Sequence, residues 1–316
     1  MSSPALPTVV VLTTGGTIAS RVGPDGVSTT GRHAHDVLVD AGLRVGVRVR
    51  VTDVLCVDSA AMSLLDMDTV RGAVTAALRD DAVSGVVVLH GTDSLEETAM
   101  LIDLSHTDVR PVVITGAQRT ADHVESDGPH NVESALRVAA DPERRGHGVL
   151  VAFGPRVLRA RGVRKSHTTA LDAYSGTPAV DPVPRETLPD SSIDGIRVDV
   201  VALYPGVDGL VIDALRSART DGIVLQAMGA GNANAAVVDA VRRCTDAGVP
   251  VMLSTRVPSG GVVTTYGGGG GGADLVRAGA VSAGDLSPAQ ARILLCALLS
   301  NRLPITADLA SISTAR

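Results

Sequence analysis

Aromatic side chains are almost missing from this chain: one Phe, three Tyr and no Trp in 316 residues. So few rings cannot build an aromatic cage, a base-stacking platform or an RNA-binding sheet, all of which need exposed rings. Cores must instead be assembled from Val, Leu, Ile and Ala. An excess of positive charge is missing too: the net charge of −6 gives no overall attraction to a phosphate backbone, so no nucleic-acid partner is expected. Cysteine is scarce. Cys56, Cys244 and Cys296 are far apart, form no C-x-x-C pair and sit in apolar stretches, so they are expected to be reduced core residues in a reducing compartment. No apolar run approaches the roughly 20 residues of a membrane span, and Met1–Pro7 has neither a charged n-region nor an apolar h-region. No membrane association is expected, and the location expected is cytoplasmic.

What is present reads as a folded α/β protein. Hydrophobic residues make up 45% and charged residues 20%, and the length exceeds one comfortable core, so two domains are expected. Short apolar runs at Val9–Thr13, Gly85–His90, Pro111–Thr115 and Val149–Phe153 have the length of buried strands, and Val45–Leu55 is β-branched and partly alternating. Between them, Asp66–Leu78 carries Met67, Val70, Val74, Ala77 and Leu78 at helical spacing, Ser94 and Glu97 open a helix as a capping box, and 131–140 is helical. This alternation predicts βαβ units: a larger N-terminal domain with a mostly parallel sheet sandwiched by helices, over 1–185. The proline-rich break after Asp181 predicts a linker at 186–198, and 199–316 a smaller C-terminal α/β domain. Its strands are expected near Val198–Tyr204, Ile223–Ala227 and Val251–Ser254, with helices at 207–217, at 233–246 and from Ser287. Six successive glycines, Gly267–Gly272, read as a mobile loop.

In parallel sheets the chemistry collects beyond the carboxyl ends of the strands. Two such ends carry hydroxyls: Thr13-Thr14-Gly15-Gly16-Thr17, and His90-Gly91-Thr92-Asp93-Ser94 at a helix start. A nucleophilic hydroxyl, a second hydroxyl beside a carboxylate, and free N–H groups are the ingredients of acyl transfer. A threonine needs a base, because its hydroxyl is a weak nucleophile near neutrality.

Thr14–Ala19 (T-G-G-T-I-A) and His90–Ala99 (H-G-T-D-S-L-E-E-T-A) resemble the signature segments of the bacterial-type L-asparaginases, nearer the cytoplasmic branch. Further likenesses are Val57-Asp58-Ser59, Gly116-Ala117-Gln118-Arg119, Asp127-Gly128-Pro129-His130-Asn131, Val163-Arg164-Lys165-Ser166, Gly229–Asn234 and Ser254–Pro258, so the resemblance spans essentially the whole chain. It implies hydrolysis of the L-asparagine side-chain amide to aspartate and ammonia, through an acyl-enzyme on Thr17. Thr92, Asp93 and Lys165 would form the second triad, with Lys165 as base. Ser59 and Asp93 would hold the α-carboxylate and α-ammonium, with Gly16 and Asp58 beside them. N–H groups of Thr92 and Ala117 would hold the oxyanion. Asn234 would reach a neighbouring subunit's site in a dimer or tetramer. No cofactor and no metal are implied.

The chain departs from that pattern at three places. The lid segment Ser20–Gly31 has no tyrosine, Ser59-Ala60-Ala61 lacks one ammonium-binding side chain, and Thr265-Tyr266-Gly267 stands where an acidic residue is usual. Tyr266 would supply a phenol instead. A glutaminase using the same machinery, and a catalytically impaired amino-acid-binding protein, remain as alternatives. Other candidates carry blander readings. His90 is expected to orient its turn, His33 and His35 lack a third ligand, and Asp122, Glu125 and Asp127 read as a solvated acidic cluster. Gly229-Ala230-Gly231 lacks the remainder of a dinucleotide fingerprint.

Overall fold

The structure, a computed structural model, describes residues 6–15, 20–22, 28–30 and 45–306. The chain divides into two compact units, Met1–Pro184 and Arg185–Arg316.

The first unit is built on a six-stranded sheet of β1 (Thr8–Thr13), β4 (Arg48–Asp53), β5 (Val83–Leu89), β6 (Val112–Thr115), β7 (Val149–Phe153) and β8 (Arg156–Arg159), in the order β4-β1-β5-β6-β7-β8. All pairings are parallel except β7 with β8. Between β1 and β4 lies a short antiparallel hairpin, β2 (Ser20–Val22) with β3 (Ser28–Thr30). Alternate residues of the central strands serve two cores, as the two-residue period of a strand requires. Val10, Leu12, Val86, Val88 and Ile114 pack on the side of helices α1 (Leu64–Ala77) and α2 (Leu95–Ser105). Val9, Val11, Val87, Leu89 and Val113 face Val132, Ala135, Leu136 and Ala139 of α3 (Gly128–Ala140). With apolar faces on both sides, β1 reads as an unbroken hydrophobic run because every residue in it is buried.

The second unit has an all-parallel sheet, β11 (Val198–Ala202), β12 (Gly222–Ala227), β13 (Val251–Thr255) and β14 (Val281–Ser282), in sequence order. Helices α4 (Leu210–Ser217), α5 (Ala235–Asp246), α6 (Gly272–Arg277) and α7 (Pro288–Ser300) accompany it. The last opens as its sequence suggests, with Ser287 capping the Gln290 N–H at 3.1 Å and Pro288 at the first helical position.

The fold class expected from periodicity holds, and four local expectations do not. Ser94 does precede α2, yet makes no side-chain cap bond; its hydroxyl donates instead to the Ser59 carbonyl at 2.6 Å. Cys56 is exposed, unlike the buried Cys244 and Cys296, because it follows β4 in a coil beyond the sheet. Helix α3 begins at Gly128, three residues before the expected start, since Pro129 suits the first turn of a helix. Finally, the glycine run is an organised loop. The Asp274 carboxylate accepts N–H bonds from Gly269, Gly270 and Gly271 at 2.8, 2.8 and 3.0 Å, and α6 starts at Gly272. Those donors hold the Asp274 carboxyl below the usual carboxylate range.

Candidate active site

The parallel strands place a topological switch between β1 and β5: β4 lies on one side of β1 and β5 on the other. Crevices at such points, past the carboxyl ends, are where open α/β sheets bind ligands. Thr13 pairs with Leu89, so both strands end level. Immediately beyond, the Thr14 N–H and hydroxyl both donate to the Leu89 carbonyl, each at 3.1 Å, while the Thr14 carbonyl accepts the Val57 N–H at 2.9 Å. The segments leaving β1, β4 and β5 are thereby tied together. Gly15 then turns with φ +98°, a conformation that favours glycine. Gly16 and Thr17, and likewise His33 and His35, lie outside the described residues.

The turn after β5 carries the densest chemistry. His90 is fully buried, its Nδ1 2.7 Å from the Gly91 carbonyl and its Nε2 2.9 Å from the Thr98 hydroxyl. Burial lowers its pKa to about 4, so the ring is neutral, donating from Nδ1 and accepting at Nε2. It orients the turn, as the sequence reading has it. Thr92 is buried and meets Lys165, whose Nζ donates to Thr92 Oγ1 at 2.8 Å and to Asp93 Oδ1 at 2.6 Å. The amine, hydroxyl and carboxylate thus form a continuous cluster. Lys165 arrives on a separate two-stranded hairpin, β9 (Arg164–Lys165) with β10 (Tyr174–Ser175). Of 28 lysine and arginine residues it is the only lysine. Arginine stays protonated in proteins, so Lys165 offers the chain's only side-chain amine able to act as a base.

Ser59 lies against the same turn. Its Oγ accepts the Asp93 N–H at 3.2 Å, and its own hydroxyl hydrogen has no acceptor among the described residues. Asp58 is exposed and caps the short 3-10 turn Ser59–Ala61, accepting the Ala60 N–H at 3.1 Å. On the other side, a Cβ on Gly116 would come within 2.3 Å of the His90 carbonyl, so only glycine allows these two strand-end turns to approach. That same point is 3.5 Å from the Thr92 methyl, which brings the Ala117 turn beside Thr92. Neither the Thr92 nor the Ala117 N–H has an acceptor among the described residues.

Asp127 corrects the solvated-cluster reading. It is buried, and its carboxylate accepts the N–H of Gln118 at 3.0 Å, the N–H of Arg119 at 2.9 Å and the Asn131 amide at 3.1 Å. Asn131 also donates to the Gly116 carbonyl at 2.9 Å. Together they shape the turn that presents Ala117. In the second unit, Asn234 caps α5: its Oδ1 accepts the Val237 N–H at 3.1 Å and its Nδ2 donates to the Val207 carbonyl at 2.7 Å. Among the described residues these leave one N–H and one lone pair of that amide for another partner. Tyr266 is exposed at the head of the glycine loop.

The sequence reading missed two residues beneath the turn. The Glu96 carboxylate accepts the Lys165 backbone N–H at 2.7 Å, and the Tyr174 hydroxyl donates to the Thr92 carbonyl at 2.5 Å. Both contacts join segments about 70 to 80 positions apart, which no local spacing reveals.

Fold and site together define a two-unit α/β protein that gathers a lysine amine, a hydroxyl and a carboxylate at the carboxyl ends of parallel strands. The chain belongs to the asparaginase family: the N-terminal asparaginase model matches residues 8–186, and the glutaminase/asparaginase C-terminal domain model matches 197–309. It is 37% identical over 317 residues to a probable L-asparaginase of Deinococcus radiodurans, covering 94% of either chain. Against a probable periplasmic L-asparaginase of Haemophilus influenzae the identity is 32% over 312 residues, covering 92% of this chain and 88% of that one. Among solved structures it is similar to a probable cytoplasmic L-asparaginase from Campylobacter jejuni, with TM-score 0.81, 27% identity and 97% and 98% of the two chains covered.

Proposed function

We propose that this protein hydrolyses the side-chain amide of L-asparagine, giving L-aspartate and ammonia through a threonine acyl-enzyme. The observation that carries the reading is the Lys165 amine bonded to both Thr92 Oγ1 and Asp93, at the switch point where the Thr-Gly-Gly-Thr segment leaves β1. Thr17, the nucleophile, follows Gly15 by two residues, a reach of at most about 7 Å between Cα atoms. Its hydroxyl oxygen attacks the amide carbon, the C–N bond breaks, and the leaving nitrogen takes a proton as ammonia. Water then attacks the ester, releasing aspartate and restoring the threonine. In each half-reaction Thr92 relays the attacking hydroxyl's proton to the Lys165 amine, Asp93 stabilises the ammonium that results, and the proton is returned to the leaving group.

The N–H groups of Thr92 and Ala117, without an acceptor among the described residues, suit the oxyanion that forms on the amide carbonyl oxygen. The buried Ser59 hydroxyl, with a hydrogen to donate, suits the α-carboxylate, and the half-exposed Asp93 carboxylate suits the α-ammonium. A cytoplasmic location and homo-oligomeric assembly belong to the same proposal. So do the substrate-binding roles of Asn234, at a neighbouring subunit's site, and of Tyr266.

Ammonia release from asparagine and glutamine tests the reading. Thr17→Ala is expected to abolish turnover with the circular dichroism spectrum unchanged. Lys165→Arg, which keeps charge but not basicity, is expected to lower kcat by about 10²- to 10⁴-fold. Substantial turnover by Thr17→Ala overturns the nucleophile, and a higher kcat/KM for glutamine reassigns the substrate.

A further inference from the structure

The peptide unit between Thr92 and Asp93 is gripped at both ends. Its carbonyl oxygen accepts the Tyr174 hydroxyl at 2.5 Å, and its N–H donates to Ser59 Oγ at 3.2 Å. Tyr174 is one of only four aromatic residues in the chain, and it is almost fully buried, with its ring against Phe153 at a centroid distance of 4.9 Å. On β10 it stands directly opposite Lys165 of β9. One hairpin therefore delivers two contacts to the same residue: the Lys165 amine to the Thr92 side chain and the Tyr174 hydroxyl to the Thr92 main chain.

We propose that Tyr174 is a positioning residue for substrate recognition, acting through a directed hydrogen-bond chain that runs from its hydroxyl through the Thr92–Asp93 peptide to the hydroxyl of Ser59. Every link points the same way. The phenol donates to a carbonyl, the N–H of that peptide donates to a serine oxygen, and the serine hydrogen, which has no acceptor among the described residues, is left for one in the crevice. Bonds in such a chain polarise one another, each strengthening the next by a modest fraction. Ser59 thus becomes a better donor than an isolated serine, and an anionic acceptor gains most. Burial raises the phenol's pKa, with the charges of Glu96, Glu97 and Asp93 acting in the same direction, so Tyr174 stays a donor throughout the neutral range. The ligand that fits the end of the chain is a carboxylate. Resting on the amidohydrolase reading above, the inference assigns Tyr174 to recognition of the substrate's α-carboxylate and not to bond breaking.

Tyr174→Phe, Ser59→Ala and the double variant test this through KM and kcat for L-asparagine. Calorimetric affinity for L-aspartate gives a readout that needs no turnover. Tyr174→Phe is expected to raise KM and weaken aspartate binding by roughly 3- to 10-fold while kcat changes less than twofold. On a Ser59→Ala background the same change is expected to have little further effect, because the chain is already cut. A hydroxyl that only stabilises the fold would lower Tm and act equally on both backgrounds; multiplicative effects on KM and on aspartate affinity overturn the inference. If wild-type protein releases no ammonia, the catalytic reading fails by itself, and aspartate binding across the four proteins still decides the hydrogen-bond chain.

Discussion

His90 illustrates how one buried side chain links the site to stability. Its pKa in the fold is depressed from 6.5 to about 4, chiefly by burial. Above the unfolded value both states are neutral and pH has no effect through this group. Between about pH 6.5 and pH 4 the unfolded chain binds a proton that the native chain refuses, so stability falls as pH falls, and levels off below the native pKa. The shift corresponds to roughly 3 kcal/mol across that window. Urea unfolding of the wild type and of His90→Gln at pH 7.5 and 4.5 checks this. The wild type is expected to lose about 1 to 3 kcal/mol more than the variant on acidification; equal losses would show that His90 does not titrate on unfolding. The location of His90 at a strand end was legible in the sequence. Its complete burial was not, because the Thr98 contact forms only once α2 turns back over the strand end.

At the scale of elements, the hairpin and helices around β7 are joined by charge as well as by apolar contact. Asp103 of α2 and Arg161, just past β8, form a buried pair at 2.6 Å, and the other Asp103 oxygen accepts the first N–H of β7, from Val149, at 3.0 Å. Removing one partner strands a charge in a medium that cannot solvate it. Asp103→Ala is expected to cost about 3–5 kcal/mol of unfolding free energy, whereas replacing both residues by apolar ones of similar size costs much less. Denaturant midpoints of the single and double variants decide it: a double variant as unstable as the single would refute the buried-charge account. The Ser94–Glu97 signal placed the start of α2 correctly, because Ser94 does precede its first turn, although the side-chain cap bond it implied does not form. The pairing of Asp103 with Arg161 left no such trace. The β9–β10 hairpin was likewise illegible, since two-residue strands carry no period to detect.

For the whole molecule, two compact units were foreseeable from length, and the proline-rich stretch near their junction was visible as a break in pattern. Assembly is a property of this scale. Each protomer has a mass of 32.2 kDa, and the proposed homo-oligomer predicts a solution mass of two or four times that value by light scattering. A single-protomer mass at micromolar concentration, in protein that is fully active, would remove any need for a neighbour's Asn234. The scarcity of aromatics also acquires meaning here. Val, Leu, Ile and Ala make up nearly all of the core clusters in both units, and the first unit's two rings, Phe153 and Tyr174, are part of its core, in contact with each other beneath the Thr92 turn.

Strand and helix periods, strand-end glycines and the threonine-bearing turns are local signals, and the sequence alone determined from them the α/β class, the family resemblance and most candidate residues. Only the tertiary structure decided which of these meet. The union of Lys165 with Thr92, the grip of Tyr174 and Ser59 on one peptide, and the burial of Asp127 all depend on contacts between distant segments. Such contacts are selected by the packing of the complete sheet, whose energy is spread over many apolar residues and is encoded at no single position.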